Sequence, residues 1–151
     1  MKRCFSYFIV LFILFGCSPK PNAVSSEGQA IYLADYQGRW VLVHYWADWC
    51  HACMAEWPVL VALQQQFPKQ VQIIAVNFDS KANEVLNQIK TQYHLNFPMT
   101  ASFSHEKIAT VASIPTTFVF SPQGKWVKTL QQPQSLSQWR SLLQLTAASS
   151  S

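Results

Sequence analysis

Trp46-Ala47-Asp48-Trp49-Cys50-His51-Ala52-Cys53 sets two cysteines three positions apart, directly after the strand-forming run Trp40-Val41-Leu42-Val43-His44-Tyr45-Trp46. Residues 52–67 follow with helical spacing at Met54, Trp57 and Leu60-Val61, and Pro58 inside them is expected to kink the helix. A Cys-X-X-Cys at a strand-to-helix junction puts its first thiol at the helix N-terminus. Unpaired N–H groups and the helix dipole favour negative charge there. The thiol pKa falls, and the thiolate is the species that attacks disulfides. The stretch therefore predicts a dithiol/disulfide redox pair.

Outward from it, residues 40–46 are almost continuously apolar, as expected of a strand covered on both faces in a parallel sheet. Residues 71–78 read as a second buried strand. Residues 81–94 read as a helix with Val85, Leu86, Ile89 and Tyr93 on its inner face. A short strand is expected over 97–100 and a short helix over 105–111. Residues 116–121 and 126–130 are expected to form a hairpin about the turn Pro122-Gln123-Gly124-Lys125. A closing helix over 135–145, capped by Ser135, turns Leu136, Trp139, Leu142 and Leu143 inward. Upstream, 29–33 read as a short edge strand and Asp35-Tyr36-Gln37-Gly38 as a turn. Strand and helix alternate first, and a hairpin and helix come last. With the cysteines after an early central strand, that order predicts an α/β thioredoxin fold, a mixed sheet flanked by helices.

The chain has 151 residues, half of them hydrophobic, which suits one domain with a substantial core. Its formal charge is +4, but without Lys2 and Arg3 nine basic residues face seven acidic ones, scattered with no basic stripe. Nucleic-acid binding has no support in that pattern. Lys2-Arg3 and the apolar run from Phe5 to Phe15 read as a signal peptide over 1–16, too short for a membrane-spanning helix of about 20 residues. Residues 17–28, with two prolines, three serines and an asparagine, read as a flexible tether, 29–146 as the domain and 147–151 as a frayed tail. Of the four cysteines, Cys4 and Cys17 fall in the export segment, so the domain keeps one pair, Cys50 and Cys53. Beyond the membrane, disulfide chemistry is permitted.

Leu14-Phe15-Gly16-Cys17-Ser18 resembles the bacterial lipoprotein processing box, which implies a lipidated Cys17 and a protein anchored to the membrane, facing the periplasm or the cell exterior, without spanning it. From residue 29 to 145 the chain resembles the thioredoxin superfamily, and within it the membrane-tethered TlpA/ResA-like branch. The residues that carry this are the run from Val41 to Cys53, Glu56 and Pro58 in the Glu-X-Pro that follows the cysteines, and Ser113-Ile114-Pro115-Thr116-Thr117-Phe118, which looks like the cis-proline loop. Residues 79–100 correspond to the branch's extra strand-helix material. The resemblance implies that Cys50 attacks, that the more buried Cys53 resolves the mixed disulfide, and that Pro115 presents backbone to a substrate strand. No cofactor is implied beyond the cysteine pair. The implied partners are protein disulfides, among them the haem-binding cysteines of apocytochrome c, and a membrane thiol donor. A monomer is expected.

His44 stands where thioredoxins carry a buried Asp. It reads equally as a base for the Cys53 proton or as a core histidine satisfied by a carbonyl. Glu56 has the same proton-transfer reading. His51, directly after Cys50, would stabilise its thiolate and make the disulfide more oxidising. Ile114 before the proline resembles reducing thioredoxins, which favours a reductase over an oxidase or isomerase. Trp49 is expected to be exposed as a docking surface, His94 and His105 to be solvated. The rival from another class is a metal-binding lipoprotein, but a zinc site takes four ligands and no second cysteine pair survives in the domain.

Overall fold

The computed structural model describes residues 20–145, so the signal peptide, Cys17 and the tail from 146 onward lie outside the described residues. The strands are β1 (Ala23–Val24), β2 (Ala30–Ile31), β3 (Trp40–Trp46), β4 (Val71–Asn77), β5 (Met99–Thr100), β6 (Thr116–Phe120) and β7 (Trp126–Leu130). The helices are α1 (His51–Gln66), α2 (Asn83–Gln92) and α3 (Leu136–Leu142), with a 3-10 turn at Leu33–Tyr36. The main sheet runs β5-β4-β3-β6-β7. β3 pairs parallel with β4 and antiparallel with β6, so the sheet is mixed and β3 sits at its centre. This is the thioredoxin-like arrangement.

Alternation along β3 assigns its two faces. Leu42 and Trp46 join a core with Val71, Ile73, Val119, Leu143 and side chains from all three helices, among them Trp57, Leu60, Leu86, Ile89 and Trp139. Val41, Val43 and Tyr45 face a second core with Ile74, Val76, Phe118, Phe120, Ile31 and Leu33. Both faces are covered, which is why β3 and β4 carry apolar residues at nearly every position.

α1 buries Cys53, Glu56, Trp57, Leu60, Leu63 and Gln64 along one stripe and runs unbroken through Pro58. Gln64 locks it to β4: its Nε2 donates to the Val71 carbonyl at 3.0 Å and its Oε1 accepts the Ile73 N–H at 2.8 Å. Trp57 packs edge-on against Trp46 at 4.7 Å and against Tyr93 at 4.8 Å, tying β3, α1 and the end of α2 together. The β6–β7 turn needs Gly124, which has φ 73°.

α3 is only seven residues long and starts with a capping box: Ser135 Oγ accepts the Gln138 N–H at 3.3 Å and Gln138 Oε1 accepts the Ser135 N–H at 2.7 Å. Ser135→Ala removes half of that exchange and is expected to lower stability by about 1 kcal/mol, read as a shift in the urea midpoint with an unchanged slope.

Five expectations are corrected. Residues 22–28 are not a free tether: β1 pairs antiparallel with β2, the Ser26 N–H reaches the Met99 carbonyl, Thr100 Oγ1 donates to the Val24 carbonyl, and Ser25 and Ser26 are buried. The 29–33 strand is correspondingly shorter and lies in this separate two-stranded sheet. No helix forms over 105–111; a turn with a bridge between His105 and Ile108 replaces it, and Ile108 and Val111 pack on the second core. On α2 only Leu86 and Ile89 are buried, while Val85 and Tyr93 are exposed. His94 is exposed, but His105 is half-buried, edge-on to Phe120 at 4.8 Å.

Candidate active site

β3 delivers the site. After Trp46 the chain turns at Ala47-Asp48-Trp49, with the Cys50 N–H on the Ala47 carbonyl at 3.1 Å, and α1 begins at His51. Cys50 is the N-cap of α1, and its Sγ accepts the Cys53 N–H at 3.2 Å. The two cysteines form a disulfide, with Cα atoms 5.3 Å apart. Cys50 is 7% exposed and Cys53 fully buried, so an approaching group meets the Cys50 sulfur first. The N–H that reaches Cys50 in the disulfide is also placed to stabilise a thiolate once the bond is reduced.

Glu56 lies one turn beyond Cys53 on the buried stripe, 2% exposed. Its Oε1 accepts the Gln134 N–H at 3.0 Å, and no partner is found for Oε2 among the described residues. Burial pushes its pKa up to about 7, against the opposing pull of the Gln134 N–H and, more weakly, of the Trp139 indole N–H, which closes no hydrogen bond in the structure. The carboxyl therefore exchanges its proton near neutral pH.

His44 is fully buried on the β3 face that Leu42 and Trp46 share. Its Nδ1 lies 2.8 Å from Thr117 Oγ1, a hydroxyl rather than a carbonyl, and Nε2 has no partner among the described residues. Burial pulls its pKa down to about 4, so the ring is neutral at pH 7 and a weak base.

The Ile114–Pro115 peptide is cis. Pro115 is buried, Ile114 is half-buried against both cores, and Thr116 Oγ1 fastens the loop by donating to the Ser113 carbonyl at 2.6 Å. Trp49 is 58% exposed, yet its Nε1 donates to Asp79 Oδ2 at 2.9 Å and its ring meets Phe78 edge-on at 6.3 Å. Its indole is thus held in place while its face stays open. His51 is exposed at the first residue of α1. Asp48 pairs with Lys81 at 3.1 Å on the surface, a contact worth little by itself. Among the described residues no group of three or more His, Cys, Asp or Glu side chains is arranged to hold a metal ion.

Sequence reasoning missed Asp79, Phe78 and Gln134, and it placed Thr117 in the Pro115 loop without its pairing to His44. Each is joined to the site only through the fold. Asp79 and Phe78 follow β4, and nothing in their spacing from the cysteines announces the link. Gln134 contributes a backbone N–H, which no residue pattern reveals.

The sequence pattern of the AhpC/TSA family matches residues 17–128. The thiol-disulfide oxidoreductase ResA of Bacillus subtilis (strain 168) is 34% identical over 116 residues, covering 74% of this chain and 64% of its own length. The chain thus spans just under two thirds of that relative. Among solved structures, StoA from Bacillus subtilis superposes with a TM-score of 0.61 at 22% identity, over 82% of this chain and 98% of StoA. The pneumococcal exposed lipoprotein thioredoxin Etrx1 from Streptococcus pneumoniae strain TIGR4 gives 0.68 at 22%, over 81% and 96%. Both share the fold. With a cysteine pair at the head of α1 and a family pattern that covers most of its length, the chain belongs to the AhpC/TSA family, alongside the ResA-type thiol-disulfide oxidoreductases.

Proposed function

We propose that this protein is an extracytoplasmic thiol-disulfide oxidoreductase that reduces polypeptide disulfides. The observation that carries the reading is Cys50 Sγ at the α1 N-cap, bonded to a fully buried Cys53 and receiving its N–H. In the reduced enzyme the Cys50 thiolate attacks one sulfur of the substrate disulfide. A mixed disulfide forms, the substrate S–S bond breaks, and the leaving thiolate takes a proton from water. Cys53 then gives its proton to the Glu56 carboxylate and attacks the Cys50 sulfur. The Cys50–Cys53 bond forms and the second substrate thiolate leaves. Two electrons have passed from the cysteine pair to the substrate, and a membrane thiol donor restores the dithiol.

Glu56 is assigned the proton because its pKa of about 7 matches the operating pH, whereas His44 near 4 does not. His44 acts as a neutral group that holds β3 to Thr117 beside the Pro115 loop. Pro115 and Ile114 line the substrate strand and Trp49 offers the exposed ring, while His51 tunes the Cys50 sulfur from the rim. Lipidation at Cys17 would hold the domain at a membrane surface. The Leu14-to-Ser18 pattern supports this, as does the likeness to a protein described as an exposed lipoprotein. Apocytochrome c disulfides are the substrate class that the resemblance implies, and the domain acts as a monomer.

The deciding measurement is the Cys50–Cys53 reduction potential against glutathione. A reductase is expected to fall well below about −220 mV; a value near −120 mV would make the protein an oxidase instead.

A further inference from the structure

A cleft of about 250 Å³ opens on the sheet face opposite α1, at the carboxyl ends of β3 and β4, the same end of the sheet as the cysteines. Tyr45, Phe78, Ser102, Phe103, Thr110 and Val111 are among its walls. Ligands in open α/β sheets gather beyond the carboxyl ends of the strands. This cleft is smaller than the roughly 300–1,000 Å³ typical of cofactor sites, so one amino-acid side chain suits it better.

Two features join it to the redox site. Phe78 forms one wall and touches the Trp49 ring beside Cys50. Val111 forms another, four residues before Pro115. The cleft is thereby tied to the Trp49 ring on one side and to the chain leading into the Pro115 loop on the other.

Its chemistry narrows the occupant. No charged side chain is among the walls. Tyr45 is more than nine-tenths buried, and its ring is fixed edge-on to Phe118 at 5.8 Å. No hydrogen bond to its phenol is found among the described residues, and the hydroxyl is not one of the sealed, unpaired polar atoms of the core. Tyr45 shares the second-core face with Val76 and Phe103, which line the cleft with it, so that hydroxyl meets the cleft. Burial pushes its pKa up to about 12, so it stays a neutral donor and acceptor throughout the working range.

We infer that this cleft is a specificity subsite of the proposed disulfide exchange, taking an uncharged carboxamide side chain, Asn or Gln, that flanks the substrate cysteine. The Tyr45 hydroxyl donates to the amide carbonyl, the Ser102 and Thr110 hydroxyls are available to the amide NH₂, and Phe78 and Phe103 flank the methylenes. Lys or Glu in the same place would be buried without a counter-charge, at a cost. The inference rests on the exchange reading above and adds a substrate preference to it.

The test uses decapeptides with one cysteine held as its mixed disulfide with 2-mercaptoethanol, and Gln, Ala, Lys or Glu placed in turn one to four residues away. The reduced protein cleaves each to free peptide thiol and 2-mercaptoethanol, itself becoming the Cys50–Cys53 disulfide. Bis(2-hydroxyethyl) disulfide, which has no flanking residues, is the reference. In this single oxidation of the enzyme, Gln at one position is expected to beat Ala by roughly three- to tenfold in the second-order rate constant, the worth of one hydrogen bond, carried by the half-saturating peptide concentration, with Lys and Glu below Ala. Tyr45→Phe, which keeps the ring, is expected to erase the Gln advantage. Ala109→Trp, which plugs the cleft from an exposed loop, is expected to do the same. Neither variant should alter the reference rate or the reduction potential. If Gln and Ala rank equally at every position, or if both variants slow the reference as much as the peptides, the subsite is refuted while exchange stands. If wild type leaves the reference disulfide intact, the exchange reading itself is refuted, and the subsite with it.

Discussion

Cys50→Ser is expected to abolish disulfide reduction, by at least about a thousandfold, whereas Cys53→Ser is expected to stop after one step with the substrate covalently attached. The asymmetry follows from position. Cys50 caps α1 and reaches the surface, while Cys53 is sealed beneath it among Trp57, Trp46 and Leu60. A serine hydroxyl at 50 stays protonated at neutral pH even with the Cys53 N–H beside it, and the remaining thiol at 53 is out of reach of a substrate disulfide. With serine at 53 the Cys50 sulfur keeps its N–H donor and still attacks. The mixed disulfide then has no resolving thiol and persists. Intact-protein mass spectrometry after incubation with a disulfide-bonded peptide reads the result: one peptide adduct on Cys53→Ser, none on Cys50→Ser. Iodoacetamide should label wild-type Cys50 faster than free cysteine, and the pH dependence of that rate reports a thiol pKa below the usual value. An adduct on the wrong variant, or labelling no faster than free cysteine, would overturn the assignment of roles.

What the sequence disclosed, and what it withheld, divides along contact range. β3, β4 and the β6–β7 hairpin were legible because both sheet faces are covered and their residues are apolar nearly throughout. The Ser135 cap was legible because its partner, Gln138, is three residues away. Cys50 and Cys53 needed only the strand before them and the helix after. Residues 22–28 misled because serine and asparagine are common in tethers. Here those polar groups meet backbone partners: Asn22 Oδ1 accepts the Leu33 N–H at 2.7 Å, and Ser25 Oγ accepts that of Gln29 at 3.0 Å. The missing helix at 105–111 has a similar cause. Ile108 and Val111 serve the second core, and an irregular path brings both to it. At the site, the proton chemistry was the least visible part. Glu56 owes its pKa to burial and to a partner 78 residues away, and His44 meets Thr117 across 73 residues. Neither distance leaves a mark in local spacing.

Glu56→Gln is expected to make the folded protein more stable at pH 8 and the enzyme slower, and the same burial causes both. The Glu56 pKa is raised from an ordinary 4.5 to about 7, which favours the fold at low pH and costs stability as pH rises through that interval. The shift corresponds to about 3 kcal/mol. A glutamine avoids that cost and keeps the Gln134 hydrogen bond through its carbonyl, but its NH₂ meets the Trp139 N–H donor to donor, which takes back part of the gain. The net gain expected at pH 8 is therefore about 2 kcal/mol. His44 works in the opposite sense. Its pKa is lowered from 6.5 to about 4, so its contribution is present above 6.5 and is lost as pH falls toward 4. Between about pH 4.5 and 6.5 the native state carries one proton on Glu56 and none on His44, and the unfolded chain carries the reverse. The proton counts match, so these two groups leave wild-type stability flat across that window. Glu56→Gln breaks the match. Stability of the oxidised variant should climb from about pH 4 to 6.5 at about 1.4 kcal/mol per unit and level off above, where the wild type instead declines toward pH 7. Urea titrations of the oxidised proteins at pH 4, 5, 6, 7 and 8 read both curves. In turnover, the variant has no carboxylate to accept the Cys53 proton. The resolving step should slow roughly ten- to a hundredfold near pH 7, and the inflection there should vanish from the kcat profile. A variant no more stable than wild type at pH 8 would mean that Glu56 is already ionised without penalty in the fold. An unchanged kcat profile would move the proton to another acceptor.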